Sequence, residues 1–235
     1  MVAYDGTRFS GWQVQDREPS VQGTIERALG TVLNHEVRVV ASGRTDKGVH
    51  ALGQVFHFET ENPIALGELL RGCNALLPRD VRVRELREVD ADFHARFSAR
   101  YRRYRYFVSF RDLPFINRYA YVWRGEVDVA AIRDASGHLL GEHDFASFGS
   151  PMRPGGSTVR FLKRCEVRQM RGFLVFTVEA NAFLRLMVRN VVGALLKVGC
   201  GRWERERVKR LVESPSPGSL TPVPPQGLFL WRVFY

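Results

Sequence analysis

The amino-acid sequence predicts an α+β fold made of two ferredoxin-like halves, residues 1–98 and 99–235, each with the order β-α-β-β-α-β. Three observations predict it. Strand and helix patterns occur in the same order twice, no low-complexity tract divides the chain, and 235 residues are enough for two small domains. We expect the halves to join into one antiparallel sheet with helices on one face, which leaves the other face open.

The first half begins with a strand at 2–4 and a helix at 21–33. In that helix Val21, Ile25 and Leu29 recur at helical spacing, and Ser20 is a candidate N-cap. The other predicted elements of this half are strands at 37–41, 54–60 and 81–89 and a helix at 63–76.

The second half repeats this order of patterns. Residues 159–170 and 173–180 form a predicted hairpin, because two apolar runs are joined tightly at Arg171 and Gly172. The remaining predictions are strands at 101–110 and 228–235 and helices at 128–140, 182–198 and 204–212.

The charge of the chain indicates a polyanionic partner. There are 35 Lys and Arg against 25 Asp and Glu, which gives a net charge of +10, and 31 of the 35 basic residues are Arg. A codon bias towards Arg explains the Arg-to-Lys ratio but does not explain the excess of base over acid. The planar guanidinium group suits contacts with phosphate and stacking on bases. We therefore expect nucleic-acid binding.

Other classes of protein are excluded by composition. No run approaches the roughly 18 consecutive apolar residues of a membrane span, and the first residues lack the basic and apolar regions of a signal peptide. Cys73, Cys165 and Cys200 are far apart and odd in number, so we expect neither a disulfide framework nor a zinc site. Asp46 and His50 are spaced so that they could share a helical face, and His57 follows, but no further carboxylate or thiol completes a metal site. The sequence predicts a soluble cytoplasmic protein that makes no contact with a membrane.

A tandem RNA-recognition module has the same element order and is the main alternative. Residues 171–178, which read RGFLVFTV, fall where that module carries its stacking aromatic residues. The consensus requires Gly or Ala at the position of Leu174 and an aromatic residue at the position of Val178. We therefore interpret this strand as part of the core.

The segment from Ala41 to Ala51, ASGRTDKGVHA, lies between two predicted strands and holds one carboxylate between two cations. Glycines at 43 and 48 permit sharp turns and close approach of a ligand. A polar hairpin whose Asp caps a turn would also fit Asp-Lys-Gly. It would not require Arg44, Asp46 and His50 beside a basic surface.

This loop resembles the catalytic loop of the TruA family of tRNA pseudouridine synthases. The resemblance covers nearly the whole chain, and together its motifs are highly specific. The further matching blocks are Tyr4–Gln15, Ser20–Gln22, Asp92–Ala99, Arg102–Tyr106, Asp144–Phe148, Asn181–Asn190 and Gly227–Leu230.

The resemblance implies that the protein converts uridines 38–40 of the tRNA anticodon stem-loop to pseudouridine, with no cofactor and as a homodimer. By position, Asp46 is the nucleophile, Arg44 guides the flipped nucleotide and Tyr104 packs on the target uracil. Arg189 is the basic partner of the aspartate, and Leu228 is an apolar wall of the pocket. Attack on the base and attack on the sugar carbon both remain open.

The spacing around these residues agrees with that implication. In an extended strand Arg102, Tyr104 and Tyr106 share one face, which offers stacking beside a cation, although Tyr106 is also expected as a packed strand aromatic. Arg185 and Arg189 lie four apart on a predicted apolar helix. A solvated helix face accounts for Arg185 better than for Arg189.

Overall fold

The computed structural model describes residues 1–16 and 18–235. Its strands are β1 (Val2–Tyr4), β2 (Val40–Ala41), β3 (His50–Gln54), β4 (Phe56–His57), β5 (Val81–Val83), β6 (Tyr101–Ser109), β7 (Tyr121–Val122), β8 (Gly141–Asp144), β9 (Val159–Met170), β10 (Phe173–Ala180) and β11 (Leu228–Phe234). Its α-helices are α1 (Val21–Leu33), α2 (Leu66–Leu76), α3 (Pro114–Asn117), α4 (Val129–Gly137), α5 (Met187–Gly199) and α6 (Arg205–Glu213). None of the helices in the described residues is long and apolar enough to cross a membrane.

The chain forms two compact units, and the last strand falls in the first of them. One unit comprises 1–100 with 229–235, and the other comprises 101–228. The sequence placed 228–235 in the second half, whereas Phe229 and Leu230 of β11 pair in parallel with His50 and Ala51 of β3. The backbone pairing with β3 places β11 in the first unit, and the order of elements along the sequence does not reveal that pairing.

The first unit orders its main strands β5-β1-β3-β11, and β2 and β4 form a separate ribbon. Helix α1 begins where Ser20 accepts a hydrogen bond from the Gly23 amide, as predicted, and it buries Val21, Ile25 and Leu29. Strand β5 ends at Val83, well before the predicted residue 89. β5 is the edge strand, its pairing with β1 ends with Val83 opposite Val2, and the side chain of Asn74 hydrogen-bonds both backbone groups of Val83, at 2.9 and 2.7 Å.

The second unit orders its strands β6-β10-β9-β8, all antiparallel, and β7 lies parallel to the end of β6. Helix α4 packs against β9, α5 and α6. Leu174, Phe176 and Val178 of β10 are at most 1% exposed, which confirms that this strand belongs to the core. The α+β class is confirmed. The sheet is mixed rather than purely antiparallel, because the β3–β11 and β6–β7 pairs are parallel.

Candidate active site

The Asp46 loop (residues 42–49) leaves the β2–β4 ribbon and ends at β3. Arg44 and Lys47 are exposed and Asp46 is half-buried. His50 is 1% exposed and begins β3, so Asp46 and His50 do not share a helical face. The loop thus presents one carboxylate between two exposed cations, as its sequence predicts.

The first half of the loop is fixed by a buried amide. Gln54, which is 0% exposed, accepts a 2.7 Å hydrogen bond from the Ser42 hydroxyl and donates another of 2.7 Å to the Gly43 carbonyl. The Ser42 amide also donates to the carbonyl of Val55. Because buried polar groups are costly to leave unpaired, these bonds define the path of the backbone before Arg44.

The second half of the loop is fixed by the N-terminal segment. The Tyr4 hydroxyl lies 2.8 Å from Thr45 Oγ1, and burial raises the pKa of Tyr4 above its ordinary value, so the phenol keeps its proton. The Trp12 amide donates to the Thr45 carbonyl at 3.0 Å. The Asp46 carbonyl accepts from the Val49 amide at 3.1 Å. The residue before Asp46 is therefore held through both its side chain and its backbone.

Two glycines of the N-terminal segment allow this close approach. A Cβ on Gly11, whose φ is +101°, would lie 2.6 Å from the Thr45 carbonyl oxygen. A Cβ on Gly6 would overlap the carbonyl of Val49. By contrast, a Cβ on Gly43, within the loop itself, would meet no atom within 4 Å. The packing that positions Asp46 thus depends on bare backbone at Gly6 and Gly11.

His50 anchors the end of the loop. Its Nδ1 atom accepts a 3.0 Å hydrogen bond from the Gly6 amide, and its ring stacks on Phe229 with centroids 4.6 Å apart. Asp5 Oδ1 lies 3.2 Å from the same nitrogen. These contacts give His50 a structural role in the first unit.

Tyr104 lies on the buried face of β6. Arg102, Tyr104 and Tyr106 share this face, as predicted, at 9%, 8% and 0% exposure. The Tyr104 ring meets the ring of Phe183 edge-on, with centroids 4.9 Å apart. The burial of Tyr106 confirms that it is a packed strand aromatic, and the strand alternation turns Tyr104 inward as well.

The opposite face of this sheet is rich in guanidinium groups. The alternation of the paired strands places four arginines on this face. They are Arg103 and Arg105 of β6 and Arg164 and Arg168 of β9. Burial, and then the charges of these neighbouring arginines, lower the pKa of Arg105. The carboxylate of Glu179, which is 2% exposed, accepts hydrogen bonds from the Arg103 guanidinium at 2.6 and 2.7 Å. Its negative charge offsets part of the positive charge of these arginines. Such a surface favours anions.

Arg189 lies in the first turn of α5, which begins at Met187 rather than at 182. Leu186, with φ of +66°, adopts the left-handed conformation, which ends the preceding irregular segment and starts the helix. Arg185 therefore precedes the helix, and the prediction that Arg185 and Arg189 share it is wrong. Left-handed conformations of bulky residues are uncommon and cluster at functional sites.

The segment 223–228 contains Leu228 and is bonded to a second predicted site residue, Arg189, and to Tyr106 of β6. Arg189 Nε donates to the Val223 carbonyl at 2.7 Å. The Tyr106 hydroxyl donates to the Pro224 carbonyl, also at 2.7 Å, and the positive charge of Arg189 partly offsets the rise that burial causes in the pKa of Tyr106. Leu228, 6% exposed, ends this segment. Arg189 and Leu228 thus belong to one local assembly with the strand that carries Tyr104.

Comparison with known proteins identifies the family. A family model described as tRNA pseudouridine synthase matches residues 1–98 and 135–235. The chain belongs to the tRNA pseudouridine synthase family. It is therefore an RNA-modifying isomerase that converts uridine in tRNA to pseudouridine.

Its similarity to curated relatives extends over the full chain. It is 40% identical to tRNA pseudouridine synthase A of Exiguobacterium sibiricum, covering 100% of this chain and 94% of the relative. It is 42% identical to the protein of that name from Pseudothermotoga lettingae, covering 99% and 97%. A chain of a solved Cbf5-Nop10-Gar1 complex aligns with 85% of this chain and 54% of its own length, at 14% identity and a TM-score of 0.32.

Sequence analysis of this pseudouridine synthase missed the residues that hold the site. Tyr4, Trp12, Gln54 and Phe183 are not reactive, and all of them except Gln54 lie in blocks singled out from the sequence, where no role was assigned to them. The signal for Gln54 was a polar residue as the first residue of the predicted strand 54–60, although polar residues are common at strand ends. Within residues 1–16 and 18–235, no group of three or more His, Cys, Asp or Glu side chains is close enough to hold a metal ion.

Proposed function

We propose that this protein isomerises uridines 38–40 of the tRNA anticodon stem-loop, with Asp46 as nucleophile and the target base flipped out of the stem. The observation that carries the proposal is the Asp46 loop. Its single carboxylate is half-buried between exposed Arg44 and Lys47, on a backbone that Tyr4 and Gln54 hold through buried hydrogen bonds. A preorganised carboxylate beside cations suits attack on a polyanionic substrate.

The reaction accounts for the choice of an aspartate. The C1′–N1 bond of uridine breaks, the ring turns, and a C1′–C5 bond forms; C5 loses a proton and N1 gains one. A carboxylate, which is ionised at neutral pH, divides this change into two easier steps through a covalent intermediate. No oxidant or reductant is needed, so we expect no cofactor.

The other residues bind the flipped nucleotide. Flipping the target nucleotide out of the stem costs a few kcal/mol, and stacking of the uracil on the Tyr104 ring offsets about 1–3 kcal/mol of that cost. Arg44 is exposed next to the nucleophile and guides the phosphate of the flipped nucleotide. Arg189 pairs with the carboxylate, and Leu228 contacts the ring as an apolar wall. The support for Arg189 is its half-buried position behind the left-handed Leu186, where an exposed helix face does not explain it.

The test is release of tritium from C5 of labelled uridine in tRNA. The wild-type protein should release it from a stem-loop with uridine at 38–40 and not from one with cytidine there. Asp46→Asn should lower the rate by about 10⁴-fold or more, as loss of a nucleophile does, and still bind tRNA. Asp134→Asn, which removes an exposed partner of Arg205, is the matched control and should keep full activity. An active Asp46→Asn protein would show that Asp46 is not the nucleophile.

We also propose a cytoplasmic homodimer in which one subunit carries out the chemistry and its partner binds the tRNA body. One chain is small compared with a tRNA, and two-fold dimers are the commonest oligomers. Light scattering at micromolar concentration should give twice 26.9 kDa. A heterodimer of Asp46→Asn with a subunit defective in binding the tRNA body should keep one active site. A fully active monomer would contradict the proposal.

A further inference from the structure

Phe97 is the most exposed large apolar side chain of the described residues. It is 74% exposed, on the connection between β5 and β6, in the block 92–99 to which the proposed chemistry gives no role. The Arg96 guanidinium carbon lies 5.5 Å from the centre of the Phe97 ring, and Arg100 is exposed three residues further on. An exposed ring beside cations is the composition of a surface that binds single-stranded nucleic acid.

Contacts within the turn fix the position of the Phe97 ring. His94 packs against it with ring centroids 4.3 Å apart, and His94 Nδ1 accepts hydrogen bonds from the amides of Arg96 and Phe97 at 3.1 and 3.2 Å. Ser98 completes the turn, because its hydroxyl accepts from the His94 amide and its amide donates to the His94 carbonyl. A solvent-exposed aromatic on so fixed a turn loses little entropy when it binds a ligand.

The same turn is attached to the ribbon that carries the Asp46 loop. The Ala95 amide donates to His57 Nδ1 at 3.1 Å, and the Ala95 carbonyl accepts from the Tyr235 hydroxyl at 2.8 Å. His57 of β4 pairs with Val40 of β2, six residues before Asp46. The Asp46 loop begins two residues after Val40, so the turn and the loop that carries the proposed nucleophile are attached to the same ribbon.

We propose that Phe97 stacks on an unpaired base of the tRNA substrate near the target uridine, with Arg96 bound to the adjoining phosphate. This inference rests on the proposed function, because it takes the substrate to be an RNA whose bases are unpaired in a loop. Every base has a π-face, so the contact adds affinity and places the stem-loop without reading its sequence. The net charge of +10 and the flanking arginines favour RNA over an apolar protein surface.

The experiment measures the Kd for tRNA in the Asp46→Asn background, which binds without turnover. Phe97→Ala should raise Kd by about 5- to 150-fold, the range that loss of one stacked base gives. Phe97→Trp should bind within about threefold of the parent, and Phe97→Leu should bind as weakly as Phe97→Ala, because it keeps apolar surface but has no ring. Phe115→Ala is the matched control, since Phe115 is 71% exposed on α3, and should leave Kd unchanged.

Salt dependence separates the two contacts. Arg96→Ala should reduce the slope of log Kd against log salt by about one, whereas Phe97→Ala should leave that slope unchanged. Equal affinity of Phe97→Ala and its parent would overturn the proposal, and so would a change of oligomeric mass in Phe97→Ala, which would assign the ring to a protein interface. Failure of the proposed function is distinct, because the wild-type protein would then release no tritium whatever residue stands at 97.

Discussion

The Asp46 loop and strand β6 position their proposed reactive residues in different ways. The loop has almost no regular structure, and its shape comes from hydrogen bonds to Tyr4, Trp12 and Gln54 and from the bare backbone of Gly6 and Gly11. Strand β6 positions Tyr104 by register, because its paired backbone fixes which side chains turn inward. A loop site therefore depends on many particular contacts, whereas a strand site tolerates any substitution that keeps the register and the shape of the side chain.

Substitution of a glycine should show the largest contrast. Gly11→Ala should lower kcat by about 10²-fold, because a shift of about 1 Å in a reactive group has that cost, and should destabilise the protein by about 1–3 kcal/mol through its positive φ. Tritium release and thermal unfolding measure the two effects. Gly43→Ala, within the Asp46 loop itself but with open space at its Cβ, should be nearly neutral in both. Equal effects of the two variants would show that the loop is not packed against the N-terminal segment.

Substitution of Tyr104 should have an intermediate effect that depends on the ring. Tyr104→Phe keeps the ring and its edge contact with Phe183, so kcat/KM should stay close to that of the wild-type protein. Tyr104→Leu removes the ring and should lower kcat/KM by about 5- to 150-fold. Steady-state kinetics on tRNA measure both. An equal loss in Tyr104→Phe and Tyr104→Leu would assign the role to the hydroxyl group and contradict stacking.

The smallest expected effect is the response of the β2–β4 ribbon to acid. Burial, and then the charge of His94, lower the pKa of His57 below 6.5. The unfolded chain therefore binds a proton at a higher pH than the folded one does. The contribution of neutral His57 to stability is complete above about pH 6.5 and is lost as the pH falls through the folded-state pKa. The melting temperature of the wild-type protein should fall more between pH 7.5 and 5.5 than that of His57→Gln, whose amide oxygen still accepts from Ala95. Parallel curves would contradict this assignment.

Elements that local patterns define were predicted accurately. Helix α1 with its Ser20 cap and the hairpin of β9 and β10 have the predicted bounds, because capping, apolar spacing and a tight turn all act within a few residues. Elements whose first or last residue depends on contacts with distant parts of the chain were predicted less accurately. Strand β5 extends only as far as its pairing with β1, which ends at Val83 opposite Val2, and α5 starts at a left-handed Leu186 that no local preference favours.

By itself the sequence determined the α+β class, the basic character of the chain, and the carboxylate, arginine and tyrosine residues that resemble a pseudouridine synthase site. These follow from composition, periodicity and motifs, which need no knowledge of distant contacts. Only the tertiary structure decided that β11 pairs with β3, that Tyr104 faces inward, and that Tyr4 and Gln54 hold the Asp46 loop. Strand pairing and buried hydrogen bonds join residues far apart in the chain, so their partners are chosen by the folded backbone rather than by local sequence.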